Sequence, residues 1–97
     1  MKVDSEYFNG VAERCFRDFY PGDEVPDELG IAARSIAKRM SRYGIPKTKT
    51  LLRDQLERSL ATLRMYPDHP KKERTIQLIH YLKAMHSAAV ELFASAN

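Results

Sequence analysis

The sequence predicts an all-α protein with a compact four-helix arrangement, in segments of about 5–20, 25–43, 49–65 and 70–95. In each segment apolar residues recur at three- and four-residue spacing, which places them on one face of a helix. No segment shows the sustained alternation of a strand, and the sequence has no Asn-Gly or Asp-Gly hairpin turn. The links are short, which favours antiparallel neighbours. We therefore expect residues 1–97 to form a single helical domain.

Segment 5–20 carries an apolar stripe that consists of Phe8, Val11, Ala12, Cys15, Phe16 and Phe19. Asp4 or Ser5 can cap its start, and Tyr20-Pro21-Gly22 ends it. Because Cys15 is the one cysteine, no intramolecular disulfide can form, which suits a reducing compartment. Its place in the stripe predicts a buried small hydrophobe rather than a redox switch. The first residues lack the apolar stretch of a signal peptide, so we predict a cytoplasmic protein.

Segment 25–43 opens at Val25-Pro26-Asp27-Glu28, where proline is tolerated and the two acids complement the positive end of the helix dipole. Gly44 can end the helix in a left-handed conformation, and Pro46 prevents its continuation. The predicted stripe is narrow and consists of Leu29, Ala33, Ile36, Met40 and Tyr43.

Segments 49–65 and 70–95 are separated by the turn Tyr66-Pro67-Asp68-His69-Pro70. Thr48 or Thr50 is a plausible cap for the third helix, whose stripe consists of Leu52, Leu56, Leu60 and Leu63. The fourth helix has an unusually broad apolar face, made of Ile76, Leu78, Ile79, Leu82, Met85, Ala89, Leu92 and Phe93. A face this broad indicates that the helix packs against more than one neighbour, or that part of it binds a partner.

No constellation for catalysis, metal binding or cofactor binding is recognisable. His80 and His86 are six residues apart, whereas two metal ligands on one helix are three or four apart. The four glycines are too scattered for a phosphate-binding loop. The carboxylates Asp27 and Glu28 are explained by their position at a helix start. We therefore predict a protein that is not an enzyme, with no catalytic residues, no metal site and no cofactor.

Charge is strongly segregated along the chain. Residues 1–28 carry eight acids and three bases, whereas residues 29–53 carry seven bases and no acid. Unless the acidic N-terminal third folds over it, this basic block forms a positive surface that gains from an external anion. The predicted partner-binding residues, for a protein or a nucleic acid, are Arg34, Lys38, Arg39, Arg42, Lys47, Lys49 and Arg53.

Residues 29–45, which read LGIAARSIAKRMSRYGI, resemble the helix-turn-helix of the factor-for-inversion-stimulation type. The resemblance implies that Ile36 and Met40 are apolar anchors of a recognition helix. It also implies that this helix presents residues to the DNA major groove or phosphates, namely Ala33, Arg34, Ala37, Lys38 and Arg42. A continuous helix from about Pro26 to Tyr43 explains the same residues, with Gly30 costing about 1 kcal/mol relative to alanine.

Two functions fit these features. The first is binding of a protein partner, as an inhibitor, an immunity or antitoxin-like protein, or a regulatory adaptor, with anchors such as Tyr66, Tyr81, Arg39 or Arg42. The second is nucleic-acid binding through residues 29–53. We expect a protein partner before DNA or RNA, no membrane association, and a homodimer through the C-terminal helix as a further option.

Overall fold

The computed structural model describes residues 4–96, without the side chain of Ala96, and contains four helices and no strand in that range. They are α1 (Ser5–Phe19), α2 (Asp27–Tyr43), α3 (Ile45–Met65) and α4 (Lys72–Ala96). The predicted all-α four-helix arrangement is therefore confirmed. Residues 1–3 and 97 of the predicted domain lie outside the described part. No helix within residues 4–96 is both long enough and apolar enough to span a membrane.

The ends of α1 and α2 follow from local chemistry. The Asp4 carboxylate accepts a hydrogen bond from the backbone N–H of Tyr7 at 2.7 Å, so Asp4 is the cap of α1. Gly44 ends α2 with a positive φ of 87°, a conformation in which a side chain is strained.

Helix α3 begins at Ile45, one turn before the predicted start at 49. Pro46 does not delay it, because a proline in the first turn lacks only an N–H that has no helical partner there. The prediction that Thr48 or Thr50 caps this helix is wrong. Both lie inside it, and their hydroxyls donate to the carbonyl oxygens of Gly44 and Pro46.

Helix α2 runs without a break from Asp27 to Tyr43. The structure therefore has the continuous helix, and the chain makes no turn between Leu29 and Ala33. Gly30 faces α1, where an added Cβ would lie 3.3 Å from the Asn9 side-chain oxygen. The glycine allows α1 and α2 to approach closely at this point.

Helix α4 is the centre of the core, because it contacts α1, α2 and α3, whereas α1 and α3 do not contact each other in the described residues. Its buried side chains cover most of its circumference in the C-terminal two thirds, namely Ile79, Tyr81, Leu82, Ala84, Met85, Ala88, Ala89 and Leu92. The broad apolar face thus packs against several neighbours, which is the first of the two explanations that the sequence offered for its width.

The α3–α4 hairpin extends beyond this core. Between residues 53 and 78, no side chain is fully buried, and the predicted leucines Leu56, Leu60 and Leu63 are only half-buried. We call residues 53–78 the hairpin tip. It accounts for part of the elongated shape of the molecule, which measures 44 × 28 × 19 Å.

Candidate binding surface

Six of the seven predicted binding residues are exposed, and Lys49 is half-buried. The sequence left open whether the acidic N-terminal third covers them. Within residues 4–96, the basic block forms one ion pair, between Arg53 and its neighbour Asp54 at 3.8 Å. No acid of α1 or of the α1–α2 loop forms an ion pair with the block. The N-terminal third therefore forms no ion pair with the basic block.

Arg34 is the member of the block that shares a groove with acids of the N-terminal third. It lines a shallow groove between α1 and α2 together with Glu13, Arg17 and Asp27. The two carboxylates offset the positive potential of Arg34 without forming an ion pair with it. Arg34 thus contributes less to an anion-binding surface than its position in the sequence suggested.

Lys38 and Arg39 point away from the core. Lys38 lies on the side of α2 opposite its buried residues, and Arg39 lies on the flank of the helix. The buried residues are Leu29, Ala33, Ile36, Ala37 and Met40. The spacing of four residues places Lys38 and Arg42 on one helical face. This face is positive and fully open to solvent.

An aromatic residue completes the positive face at the α2–α3 junction. The ring of Tyr43 is 46% exposed, and its centroid lies 5.3 Å from the Arg42 guanidinium carbon and 5.2 Å from the Lys47 ammonium nitrogen. Both distances are typical of cation–π contacts. Tyr43 is the last member of the predicted apolar stripe of α2, and it is exposed, whereas the other four members are buried.

The first turn of α3 adds to this positive charge. It contains Lys47 and no acid, and no side chain caps it. Cations are unfavourable near a helix N-terminus, where the dipole is positive. The junction therefore concentrates positive charge, and Arg42 and Lys47 form no ion pair within residues 4–96.

Lys49 and Arg53 lie at a different place, along the seam between α3 and α4. The Lys49 ammonium nitrogen lies 4.9 Å from the centroid of the Phe93 ring. Burial lowers the pKa of His86, and the positive charges of Lys49 and Arg53 lower it further. Sequence spacing gave no signal for this grouping, because its members come from two helices.

The remaining reactive side chains do not converge. His69 is exposed in the α3–α4 turn, while His80 stacks on Tyr20 with ring centroids 4.1 Å apart. Cys15 is buried as predicted, and burial raises the pKa of its thiol. No group of three His, Cys, Asp or Glu side chains within residues 4–96 is arranged to hold a metal ion.

The positive charge of residues 29–53 is thus divided among three places: the α1–α2 groove, the outward face of α2 with the α2–α3 junction, and the α3–α4 seam. The outward face of α2 with the junction has the highest concentration of cations that form no ion pair within residues 4–96.

Comparison with protein-family models, characterised proteins and solved structures finds no match to this chain.

Proposed function

We propose that the protein binds nucleic acid through the outward face of α2 and the α2–α3 junction. We call this the basic surface and define it by Lys38, Arg39, Arg42, Tyr43 and Lys47. The observation that carries the proposal is the exposure of four cations that form no ion pair within residues 4–96, two of which contact an exposed aromatic ring. Crowded like charges gain from contact with phosphates, and each contact releases counterions from the nucleic acid.

Burial of α4 favours this function over the protein-binding function that the sequence ranked first. That ranking rested on the absence of catalytic motifs, on the opposed charge blocks and on the surplus apolar width of α4, and burial bears on the third of these. Ile79, Leu82, Met85 and Leu92 are each at most 5% exposed, so most of the face serves the core. Exposure of the basic block, in contrast, is what nucleic-acid binding requires.

The mode of binding that we propose depends on phosphates rather than on a recognition helix. The unbroken α2 lacks the turn that a helix-turn-helix needs between Leu29 and Ala33. Cations that track a phosphate backbone give affinity with little sequence preference. Tyr43 offers a ring on which a base of a single strand can stack. We therefore propose single-stranded nucleic acid as the preferred form.

The test measures fluorescence anisotropy of a labelled single strand and a labelled duplex between about 50 and 200 mM salt. The variant Lys38→Ala/Arg42→Ala/Lys47→Ala removes three cations from the basic surface. The matched control Arg58→Ala/Arg64→Ala/Lys72→Ala removes three exposed cations from the hairpin tip and the start of α4. We expect the first variant to lower the slope of log affinity against log salt by about 3 for the duplex and by about 2 for the single strand, and the control to change it much less.

Two results would overturn the proposal. One is the absence of binding at low salt, where even nonspecific attraction is strong. The other is an equal loss in the two triple variants, which would assign binding to net charge alone. Tyr43→Ala tests the preferred form, because loss of stacking weakens single-strand binding and leaves duplex binding nearly unchanged.

Protein binding remains the second candidate function, as an inhibitor or regulator in the cytoplasm. One observation favours it: Met65 and Tyr66 at the hairpin tip are 69% and 54% exposed. Of the predicted anchors, Tyr66 is thus available, whereas Tyr81 is buried. The predicted homodimer through the C-terminal helix is tested by sedimentation equilibrium over a range of protein concentrations.

A further inference from the structure

One face of α4 changes its surroundings along its length. Residues 74, 78, 81, 85, 88 and 92 alternate spacings of three and four and so form one line along the helix. From Tyr81 onward every member of this line is buried, whereas Arg74 and Leu78 are exposed. The line becomes exposed where α2 begins, so the start of α2 and the first turns of α4 form the two sides of a notch.

The notch has a volume of about 580 Å³. Glu28, in the first turn of α2, forms one rim. The other side is formed mainly by Lys71, Arg74, Gln77, Leu78 and Tyr81. Cations, an apolar side chain and a phenol therefore meet in one concave site.

Hydrogen-bond donors in the notch exceed the acceptors that use them. Lys71 and Arg74 form no ion pair with Glu28 or with another acid of residues 4–96. Tyr81 is 9% exposed, and its hydroxyl is buried without a hydrogen bond of ordinary geometry. Burial raises the pKa of Tyr81, and the negative charge of Glu28 raises this pKa further. The nearby Gln77 side chain lowers it. A buried hydroxyl without a partner is costly, so a ligand acceptor would be favoured here.

We propose that the notch docks an acidic peptide segment of a protein partner. A carboxylate of the segment lies between Lys71 and Arg74. The Tyr81 hydroxyl is closed to solvent in the free protein, and a shift of the side chains over it lets this carboxylate accept its hydrogen bond. An adjacent apolar side chain of the segment packs on Leu78. The charge complementarity of two unpaired cations with a carboxylate selects this occupant.

A nucleic-acid backbone fits the notch less well than this peptide does. Glu28 repels either anion, but a nucleic-acid backbone brings several closely spaced phosphates into the notch, whereas the peptide can place a single carboxylate on the side of Lys71 and Arg74. The apolar surface of Leu78 also has no counterpart in a phosphate chain. The notch therefore adds a second partner, of a different class, to the nucleic acid proposed for the basic surface.

The test uses the full chain and a labelled peptide that alternates Glu with Leu, with a Gln-for-Glu peptide as the control ligand. Arg74→Glu reverses a charge inside the notch. Lys72→Glu makes the same change at an exposed residue that does not line the notch. We expect Arg74→Glu to weaken peptide binding at least about tenfold, Lys72→Glu to weaken it much less, and inorganic phosphate not to displace the peptide.

Tyr81→Phe separates docking from folding. It removes only the hydroxyl, which has no ordinary hydrogen bond in the free protein. The thermal midpoint should therefore stay or rise, while peptide affinity falls several-fold. A Tyr81→Phe protein that binds the peptide as the parent does would overturn the proposal, and this variant keeps the test valid if Arg74→Glu fails to fold.

Other outcomes also decide the matter. Equal losses of peptide affinity in Arg74→Glu and Lys72→Glu, or displacement of the peptide by phosphate, would contradict the proposal. Either result would mean that the peptide binds to positive charge in general and not to the notch. Self-association that Arg74→Glu abolishes would make the occupant a second copy of the chain. Peptide binding should persist in Lys38→Ala/Arg42→Ala/Lys47→Ala, so this inference and the proposed nucleic-acid function can fail independently.

Discussion

The two ends of the α3–α4 hairpin have similar apolar stripes and different surroundings. Leu52 and Leu63 belong to the same predicted leucine stripe on α3, yet Leu52 is 2% exposed and Leu63 is only half-buried. Near Leu52 the hairpin packs into the core that includes residues of α1 and α2. At the hairpin tip no side chain is fully buried, although Leu56 near its base packs against the core.

This difference teaches that periodicity predicts which way a side chain points and leaves its depth of burial undetermined. Depth depends on how many elements pack there, which is a tertiary property. It also separates two kinds of site. The basic surface lies on helices fixed by the core, whereas the notch lies where α2 stops covering α4.

The largest expected effect comes from making one substitution at each end. Leu52→Ala should lower the free energy of unfolding by about 2–5 kcal/mol, because it leaves a cavity in the core. Leu63→Ala should lower it by about 1 kcal/mol, because less apolar area is buried there. Urea unfolding measures both. Equal losses of unfolding free energy in the two variants would contradict the comparison. They would mean that another molecule covers the tip in solution, and stability would then depend on protein concentration.

Gly44→Ala sharpens the comparison at the junction that carries the basic surface. Gly44 has φ 87° and ψ 156°, a region that other residues essentially avoid, so alanine should cost about 1–3 kcal/mol. Gly10→Ala is the matched control, since Gly10 is exposed within α1 and an added Cβ meets nothing within 4 Å. It should raise stability by up to about 1 kcal/mol. Thermal unfolding that ranks the two variants the other way would show that α2 and α3 meet differently.

Sequence patterns were sufficient for the helices and most of the core. Phe8, Leu29 and Leu92 are buried where the spacing predicted. Tyr43 fits the spacing equally well and is exposed, because the path after Gly44 depends on how α2 and α3 pack. Exposure of the basic block could not be predicted either, since it depends on where α1 docks. The notch joins Glu28 to residues more than forty positions later, and no local pattern links them.

A smaller effect is expected from pH at the α3–α4 seam. Burial, Lys49 and Arg53 lower the pKa of His86 in the folded protein, so the unfolded chain binds its proton more readily. The resulting stabilisation is complete above the unfolded histidine pKa of about 6.5 and is lost as the pH falls below it. His86→Gln should therefore lose less stability than the parent between neutral and acidic pH.

The difference in stability loss is measured by unfolding three proteins over this pH range, namely the parent, His86→Gln and the control His69→Gln. His69 lies in the exposed turn of the hairpin tip, where its Nδ1 accepts a hydrogen bond from the Lys71 N–H at 3.1 Å, so its variant controls for the loss of a histidine outside the seam. If the stability of His86→Gln falls with pH as steeply as that of the parent, the α3–α4 seam is as open to solvent as the hairpin tip. The difference between the two ends of the hairpin then does not extend to this seam.

The smallest expected effect concerns charge at the packed end. Arg14 of α1 pairs with Glu91 of α4, and both side chains are about half exposed. A double-mutant cycle with Arg14→Ala and Glu91→Ala should give a coupling below about 1 kcal/mol, since solvent and salt screen such pairs. In that case apolar burial against α1 and α2 accounts for the difference between the two ends. A coupling as large as the loss in Leu52→Ala would instead assign much of that difference to charge, and it would then weaken with added salt.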